Sequence, residues 1–162
     1  MFGKGTTRYQ MREKLLAVGD DSWITDADGN KAFKVNGKAM RIRDTFVLED
    51  AGGNEVAKIQ ERKLHVRDTM AIERGGDRIA TVHRRLVGLR DHLKVEIENG
   101  HDMKVRGNLV NHEYDIDGDG GKVAEVSKKW FRVRDTYGVE VAPGQNEALI
   151  LAITVCVDQM AR

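Results

Sequence analysis

Hydrophobic and polar positions alternate along most of this chain, and the alternation comes in repeated pairs of segments. Phe33/Val35, Ala57/Ile59, Ala80/Val82, Met103/Val105 and Ala124/Val126 each sit two residues apart with a polar residue between them. Side chains two apart on an extended chain share a face, so these are strands with one face turned inward. A second alternating segment follows, with Met40, Ile42, Phe46 and Leu48, or Leu64, Val66, Met70 and Ile72, on one side. Gly, Asn and Asp cluster ahead of each first segment and supply the positive φ and side-chain acceptors of hairpin turns. A basic pair or a Gly-Lys separates the two segments: Gly37-Lys38, Arg62-Lys63, Arg84-Arg85, Arg106-Gly107 and Lys128-Lys129. Reading these as second turns makes each unit a two-stranded hairpin.

The hairpins are tandem copies of one another. "DADGNKAFKVNGKAMRIRDTFVLE" at 26–49 is followed by "DAGGNEVAKIQERKLHVRDTMAIE" at 50–73 and a third unit at 74–96. The unit at 97–116 is degenerate, with Glu113 near the place of an Arg, and the unit at 117–140 restores the pattern. The Arg-Asp pairs Arg43/Asp44, Arg67/Asp68, Arg90/Asp91 and Arg134/Asp135 step by 24, 23 and 44 residues, the last being two steps. Five hairpins give ten strands, and short strands at Arg8–Met11 and Trp23–Thr25 bring the meander to about twelve. Open sheets of that size curl, so the prediction is an all-β barrel. Its interior is too wide for strand side chains alone to fill. The run "QNEALILAITVCVDQMAR" supplies the filler: apolar on every side from Ala148 to Val157, with Asn146 as N-cap and Glu147 in the first turn, it reads as a buried helix at about 146–160. Its β-branched residues leave a buried final strand as the alternative. One domain spans 1–162, with the hairpin repeats over 26–140.

The motifs "MREK", "ITDADGN", "KVNGK" and "RD…LEDAGGNEVA" fall in this order from about Tyr9 onward. In them the chain resembles the LURP-one-related family, of tubby C-terminal-like architecture, over nearly its whole length to about Met160. The resemblance implies a twelve-stranded barrel around a central hydrophobic helix. It also implies distant similarity to phospholipid scramblases and to tubby proteins, which bind phosphoinositides. Most members of the family have no assigned biochemical activity.

Composition narrows the partners little. Of 162 residues 40% are hydrophobic and 33% charged, and the net charge of +1 gives no global pull toward nucleic acid or membrane. The single Cys156 forms no internal disulfide, and "MFGKGTTRYQMREK" has no apolar signal region, so a reducing cytoplasmic location is expected. The apolar run 148–157 is far short of the roughly 20 residues of a spanning helix.

Charge is distributed unevenly nonetheless. In an up-and-down meander all turns of one kind lie at one end, so Asp26, Asp28, Asp50, Asp77, Asp117 and Asp119 are expected to crowd one rim. Lys38, Arg62, Lys63, Arg84, Arg85, Arg106, Lys128 and Lys129 are expected at the other, as an anionic-ligand site. The expected function is a non-enzymatic binding module that docks reversibly on anionic phospholipid or phosphoinositide headgroups, or on an anionic protein partner, as a peripheral membrane protein. A ligand-free structural or regulatory interaction module is the alternative, and scramblase-like lipid transfer by analogy ranks last.

Other chemistry is weakly signalled. "DIDGDGG" at 115–121 opens like a calcium loop, but its twelfth position is Val126 where a bidentate Glu belongs, so a hairpin turn is the better reading of Asp115, Asp117 and Asp119. His65, His83, His92, His101 and His112 are scattered without zinc spacing and read as strand-surface positions. No catalytic or metal residue and no cofactor is expected: nucleophile elbow, P-loop and dinucleotide fingerprint are all missing. Trp23 and Trp130 read as core or barrel-rim anchors rather than a stacking platform for nucleic acid. The recurring Arg-Asp raises the question of a repeated catalytic dyad. Leu64, Val66, Asp68, Met70 and Ile72 share a nominal face, and an aspartate there is costly unless paired or turned away. The recurrence therefore predicts a bend or bulge in each second strand.

Overall fold

The structure, a computed structural model, describes residues 4–12, 21–36, 45–62, 69–87 and 90–161, with only the backbone at 61–62, 85–87 and 90–91. Twelve strands follow the alternation: β1 (Thr7–Arg12), β2 (Asp21–Asp26), β3 (Lys31–Asn36), β4 (Thr45–Asp50), β5 (Glu55–Arg62) and β6 (Thr69–Arg74), then β7 (Asp77–Val87), β8 (Arg90–Ile97), β9 (Met103–Asn108), β10 (Glu113–Gly118), β11 (Gly121–Ser127) and β12 (Thr136–Val141). Each pairs antiparallel with its sequence neighbour, and β1 pairs with β12 from Thr7↔Val141 to Arg12↔Thr136, closing the barrel. Among the described residues the barrel is all-β apart from a C-terminal helix, α1 (Glu147–Met160). That settles helix against strand for the final segment.

The core lies where the period-2 pattern puts it. Val35, Ala57, Ile59, Ala80, Val82, Val105, Ala124 and Val126 are buried, with Phe46, Leu48, Met70 and Ile72 from the second strands. The helix is their filler: Ile150 through Asp158 and Met160 are all buried. Each Ile, Leu or Val so enclosed contributes roughly 1.5–3 kcal/mol of transfer free energy. Asn146 caps the helix, its Oδ1 accepting from Leu149 N–H at 3.1 Å, and Glu147 in the first turn accepts the Tyr9 hydroxyl at 2.6 Å. The first strand thereby holds the helix by its N-terminus.

The Asp/Gly turns have the geometry their residues specify. Asp26 Oδ1 accepts from the N–H groups of Asp28 and Asn30, and Asp50 Oδ1 from those of Gly52 and Asn54, all at 2.9 Å. Gly29 and Gly53 follow at φ 85° and 86°, where a side chain is disfavoured. Bulges recur beside the Asp/Gly turns; of the Arg-Asp pairs expected to mark bends, Arg43-Asp44 and Arg67-Asp68 lie outside the described residues, and Arg90-Asp91 pairs with β7 without a register shift. The register shifts past Ile24, Leu48, Ile72 and Ile116, leaving Ala32, Val56, Ile79 and Val123 as extra residues on the first strands of four of the five hairpins, β3, β5, β7 and β11. All four pack against the core, so each bulge adds an apolar group to the interior beside an Asp/Gly turn. Of the four Arg-Asp pairs, only Arg134-Asp135 has described side chains. It is a turn ahead of β12, with Asp135 at φ 61° and both residues exposed.

Two basic turns are displaced from their predicted places. β7 and β8 stay paired to Val87↔Arg90, so Arg84 and Arg85 lie inside a strand. Arg106 and Gly107 lie inside β9, and the chain reverses at 109–112 instead. Gly107 is needed in the strand because a Cβ there would stand 2.7 Å from the Glu113 carbonyl oxygen and 2.8 Å from Tyr114 Cα. Arg62 ends β5, and Lys38 and Lys63 lie outside the described residues. Lys128 and Lys129 do leave the barrel wall, immediately after β11.

Candidate functional site: the basic end of the barrel

The barrel end at the C-terminus of α1 carries the described connections 109–112 and 128–135. The second is "KKWFRVRD", and it is pinned to the barrel wall rather than extended from it. Tyr137, Val139 and Val141 face the helix, so Gly138 and Glu140 face outward, yet every residue of β12 is buried. Trp130 and Phe131 cover that outer face: a Cβ on Gly138 would meet Trp130 Cε3 at 2.7 Å and Phe131 Cε2 at 2.9 Å. Arg8 of β1 closes the stack, its guanidinium 4.8 Å from the centre of the Trp130 ring while its Nη2 donates to Glu140 at 2.7 Å. With the two aromatic residues spent on anchorage, the exposed residues of the loop are Lys128, Lys129, Arg132, Val133, Arg134 and Asp135. The loop itself thus presents four cations and one carboxylate, and Glu113 brings a second carboxylate to Lys128.

The neighbouring turn is tied to this loop. Glu113, at the start of β10, accepts the Lys128 N–H at 3.0 Å, giving the degenerate repeat a role in joining two connections. The turn itself is anchored by buried Leu109 and His112 and carries Val110 outward, 68% exposed. His112 is therefore no strand-surface residue. It sits at φ 54°, stacked on Tyr137 at 4.1 Å, with Nε2 3.9 Å from an oxygen of Asp158. Asp158 and Thr154 share one side of α1, four residues apart. Beneath them Tyr114 is wholly enclosed, and burial first, then the Asp158 carboxylate, pushes its phenol well above the ordinary range. The signal for this buried polar cluster was the polar pair at i and i+4 within an otherwise apolar helix.

Of the eight basic residues expected on the rim, the structure brings together fewer. Lys128 and Lys129 are exposed on the loop; Arg132 and Arg134 join them, which the turn-based reading missed. Arg106 is outside the wall, donating through Nε and Nη2 to Asp117 at 2.9 and 2.6 Å. Arg84 falls on the inward parity of β7 and is half-buried. Both line a cleft of about 580 Å³ with His92, Leu109, Val110 and Ala161. The cleft opens where the β8–β9 ladder stops at Leu93↔Val105, short of the strands' ends. Arg62 and Arg85 are placed by backbone alone.

The remaining candidates are accounted for by local pairing. Asp115 meets Lys122 at 3.4 Å, Asp117 holds Arg106, and Asp119 is 3.8 Å from His101. Among the described residues no three His, Cys, Asp or Glu side chains are grouped to hold a metal. Trp23 lies on the outer wall with the ammonium groups of Lys31 and Lys34 at 4.7 and 5.6 Å, a cross-strand contact that linear spacing conceals. Cys156 is fully buried, and burial pushes its thiol far up. Among the described residues no helix is long and apolar enough to cross a membrane.

A closed antiparallel barrel of twelve strands around a hydrophobic C-terminal helix belongs to the tubby-like class of folds. Within that class, the LURP-one-related family model matches residues 7–158, and the chain belongs to that family. A crystal structure of an Arabidopsis thaliana protein is similar at a TM-score of 0.74 and 24% identity, over 97% of this chain and 92% of that one. No curated protein matches the sequence.

Proposed function

We propose that this protein is a non-enzymatic binding module that docks on anionic phospholipid surfaces through the pinned loop 128–135. The observation that carries the reading is the loop's construction. Trp130, Phe131, Gly138 and Arg8 fix its backbone to the wall, and Lys128, Lys129, Arg132 and Arg134 are left facing solvent at one end of the barrel. Cations held on a fixed frame lose less freedom on binding than cations on a mobile tail. Near a phosphatidylserine-bearing surface each contributes about 1 kcal/mol, so four cations less Asp135 and the Glu113 carboxylate at Lys128 give about 2 kcal/mol, a factor of roughly thirty in partitioning. The opposite end presents Asp and Gly turns, and that polarity orients the approach.

Co-sedimentation with vesicles of phosphatidylcholine, with and without phosphatidylserine or phosphoinositide, at low and high salt, tests the proposal. Binding that requires anionic lipid, weakens with salt and is lost when Lys128, Lys129, Arg132 and Arg134 are all changed to Glu supports it. Protein that stays in the supernatant throughout refutes it and leaves the ligand-free interaction module in its place. Binding that survives the four reversals moves the site off this loop.

A further inference from the structure

We propose that the docking end is a wedge: Val110 and Val133 enter the boundary between headgroups and acyl chains of an anionic bilayer, and the barrel stands end-on with the C-terminus of α1 toward the membrane. This rests on the docking reading above and specifies its pose.

Among the described residues, the exposed large hydrophobic side chains are Val110 at 68% and Val133 at 58%. Scattered single apolar residues on a surface need no explanation. These two are not scattered: both lie on connections at the one end where the cationic loop lies, and the described connections of the opposite end are built mainly from Asp, Asn, Gly and Ala and expose no large apolar side chain. The tips are held firmly. The Thr136 hydroxyl donates to the Val133 carbonyl at 2.6 Å, hooking the loop back onto β12 just past the valine. Asn108 Oδ1 accepts the Asn111 N–H at 3.1 Å across the other turn, and Leu109 and His112 are buried on either side of Val110. The Glu113–Lys128 bond joins the two connections. They hang from adjacent hairpins of the wall, where strands lie about 4.8 Å apart, so the valines are roughly 10–15 Å from one another.

The order of chemistry along the tip favours a bilayer over a protein. Val133 stands between Arg132 and Arg134, an apolar group in a collar of cations, and Val110 lies between Leu109 and Asn111 on a cleft that Arg84 and Arg106 also line. A bilayer presents anionic phosphates first and hydrocarbon beneath, and such a collar matches that layering. A protein partner's hot spot calls instead for a contiguous apolar patch with aromatic anchors, and here Trp130 and Phe131 are turned inward onto Gly138.

The experiment attaches an environment-sensitive fluorophore to Val110→Cys, Val133→Cys and, at the opposite end, Asp28→Cys. The native Cys156 is fully enclosed and does not compete for label. With phosphatidylcholine–phosphatidylserine vesicles, the labels at 110 and 133 are expected to brighten, shift blue and be quenched by shallow spin-labelled lipid, and the label at 28 to stay as in water. Val110→Asp with Val133→Asp is expected to lower partitioning roughly five- to tenfold per site while thermal unfolding is unchanged. Sedimentation with all three labels water-like, or with label 28 buried, overturns the wedge and leaves the docking intact. No sedimentation of the unmodified protein overturns both.

Discussion

Gly138→Ala is the sharpest test of the loop's anchorage. Gly138 lies on an outward-facing position of β12 with Trp130 and Phe131 against its Cα, and its φ is outside the left-handed region, so alanine meets no backbone penalty. The effect of the substitution is confined to one methyl group. That methyl would sit 2.7 Å from Trp130 Cε3 and 2.9 Å from Phe131 Cε2, more than half an ångström inside ordinary carbon–carbon contact. Both rings must move, and Trp130 must give up part of its packing beneath Arg8. Overpacking of this kind costs about 1–3 kcal/mol. At about 2 kcal/mol a chain of this size loses 4–8 °C in Tm. Urea unfolding followed by circular dichroism reads the loss. In a Trp130→Ala/Phe131→Ala background the same methyl meets no ring, and its cost is expected to fall below about 0.5 kcal/mol, a coupling that a double-mutant cycle isolates. Vesicle binding by Gly138→Ala is expected to weaken as the cations lose their frame. An unchanged Tm, or a full cost that persists without the two rings, refutes this account of the loop.

Arg8→Ala should cost roughly 2–3 kcal/mol in the same assay, since it strands the enclosed Glu140 carboxylate; the partial exposure of Arg8 keeps the cost below the 3–5 kcal/mol of a fully buried pair. Stability should fall at alkaline pH. Burial raises the Cys156 thiol and the Tyr114 and Tyr9 phenols above their ordinary values of 9.0 and 10.0, with the Glu147 hydrogen bond adding to the rise at Tyr9. The folded state therefore keeps protons that the unfolded chain releases, so the stabilisation is complete below about pH 9 and is lost above it; urea midpoints flat from pH 8 to 11 would contradict this. Cys156 should react with a thiol reagent only as fast as the whole barrel opens, so labelling that outpaces global unfolding would show a local route into the core.

Much of the fold was legible because a closed barrel with a filled interior imposes one rule, period 2, on every strand. Phe46 and Leu48, or Ala124 and Val126, could be assigned to the core from alternation alone. The filler was legible for the complementary reason, that a helix surrounded on all sides has no polar face. What the period could not show was where each strand stops. Arg84-Arg85 looks like a turn because charged residues crowd turns, but cross-strand pairing carries β7 on to Val87. Arg106-Gly107 misleads in the opposite way: glycine there serves a close approach to Glu113 and Tyr114 within a ladder. The basic site was half legible. Lys128 and Lys129 are where charge patterning puts them, but Arg132 and Arg134 join them only because Trp130 and Phe131 fold onto Gly138, eight and seven residues further along the chain. The Arg-Asp repeat marked a real period, and the bulges that the described residues do show lie beside the Asp/Gly turns of four hairpins, where an added Ala, Val or Ile leaves no polar signature.

The position of the helix in the chain has a consequence for how the molecule is made. The strands come first and the segment that fills them comes last, while the seam between β1 and β12 joins residues more than 120 positions apart. A growing chain can form its hairpins one by one, since each is local. It has nothing to wrap around until residues 147–160 have left the ribosome, and every inward-facing row of Val and Ile is open to solvent until then. Closure of this barrel therefore waits on its own final element: the segment of the domain made latest is the first the finished core requires.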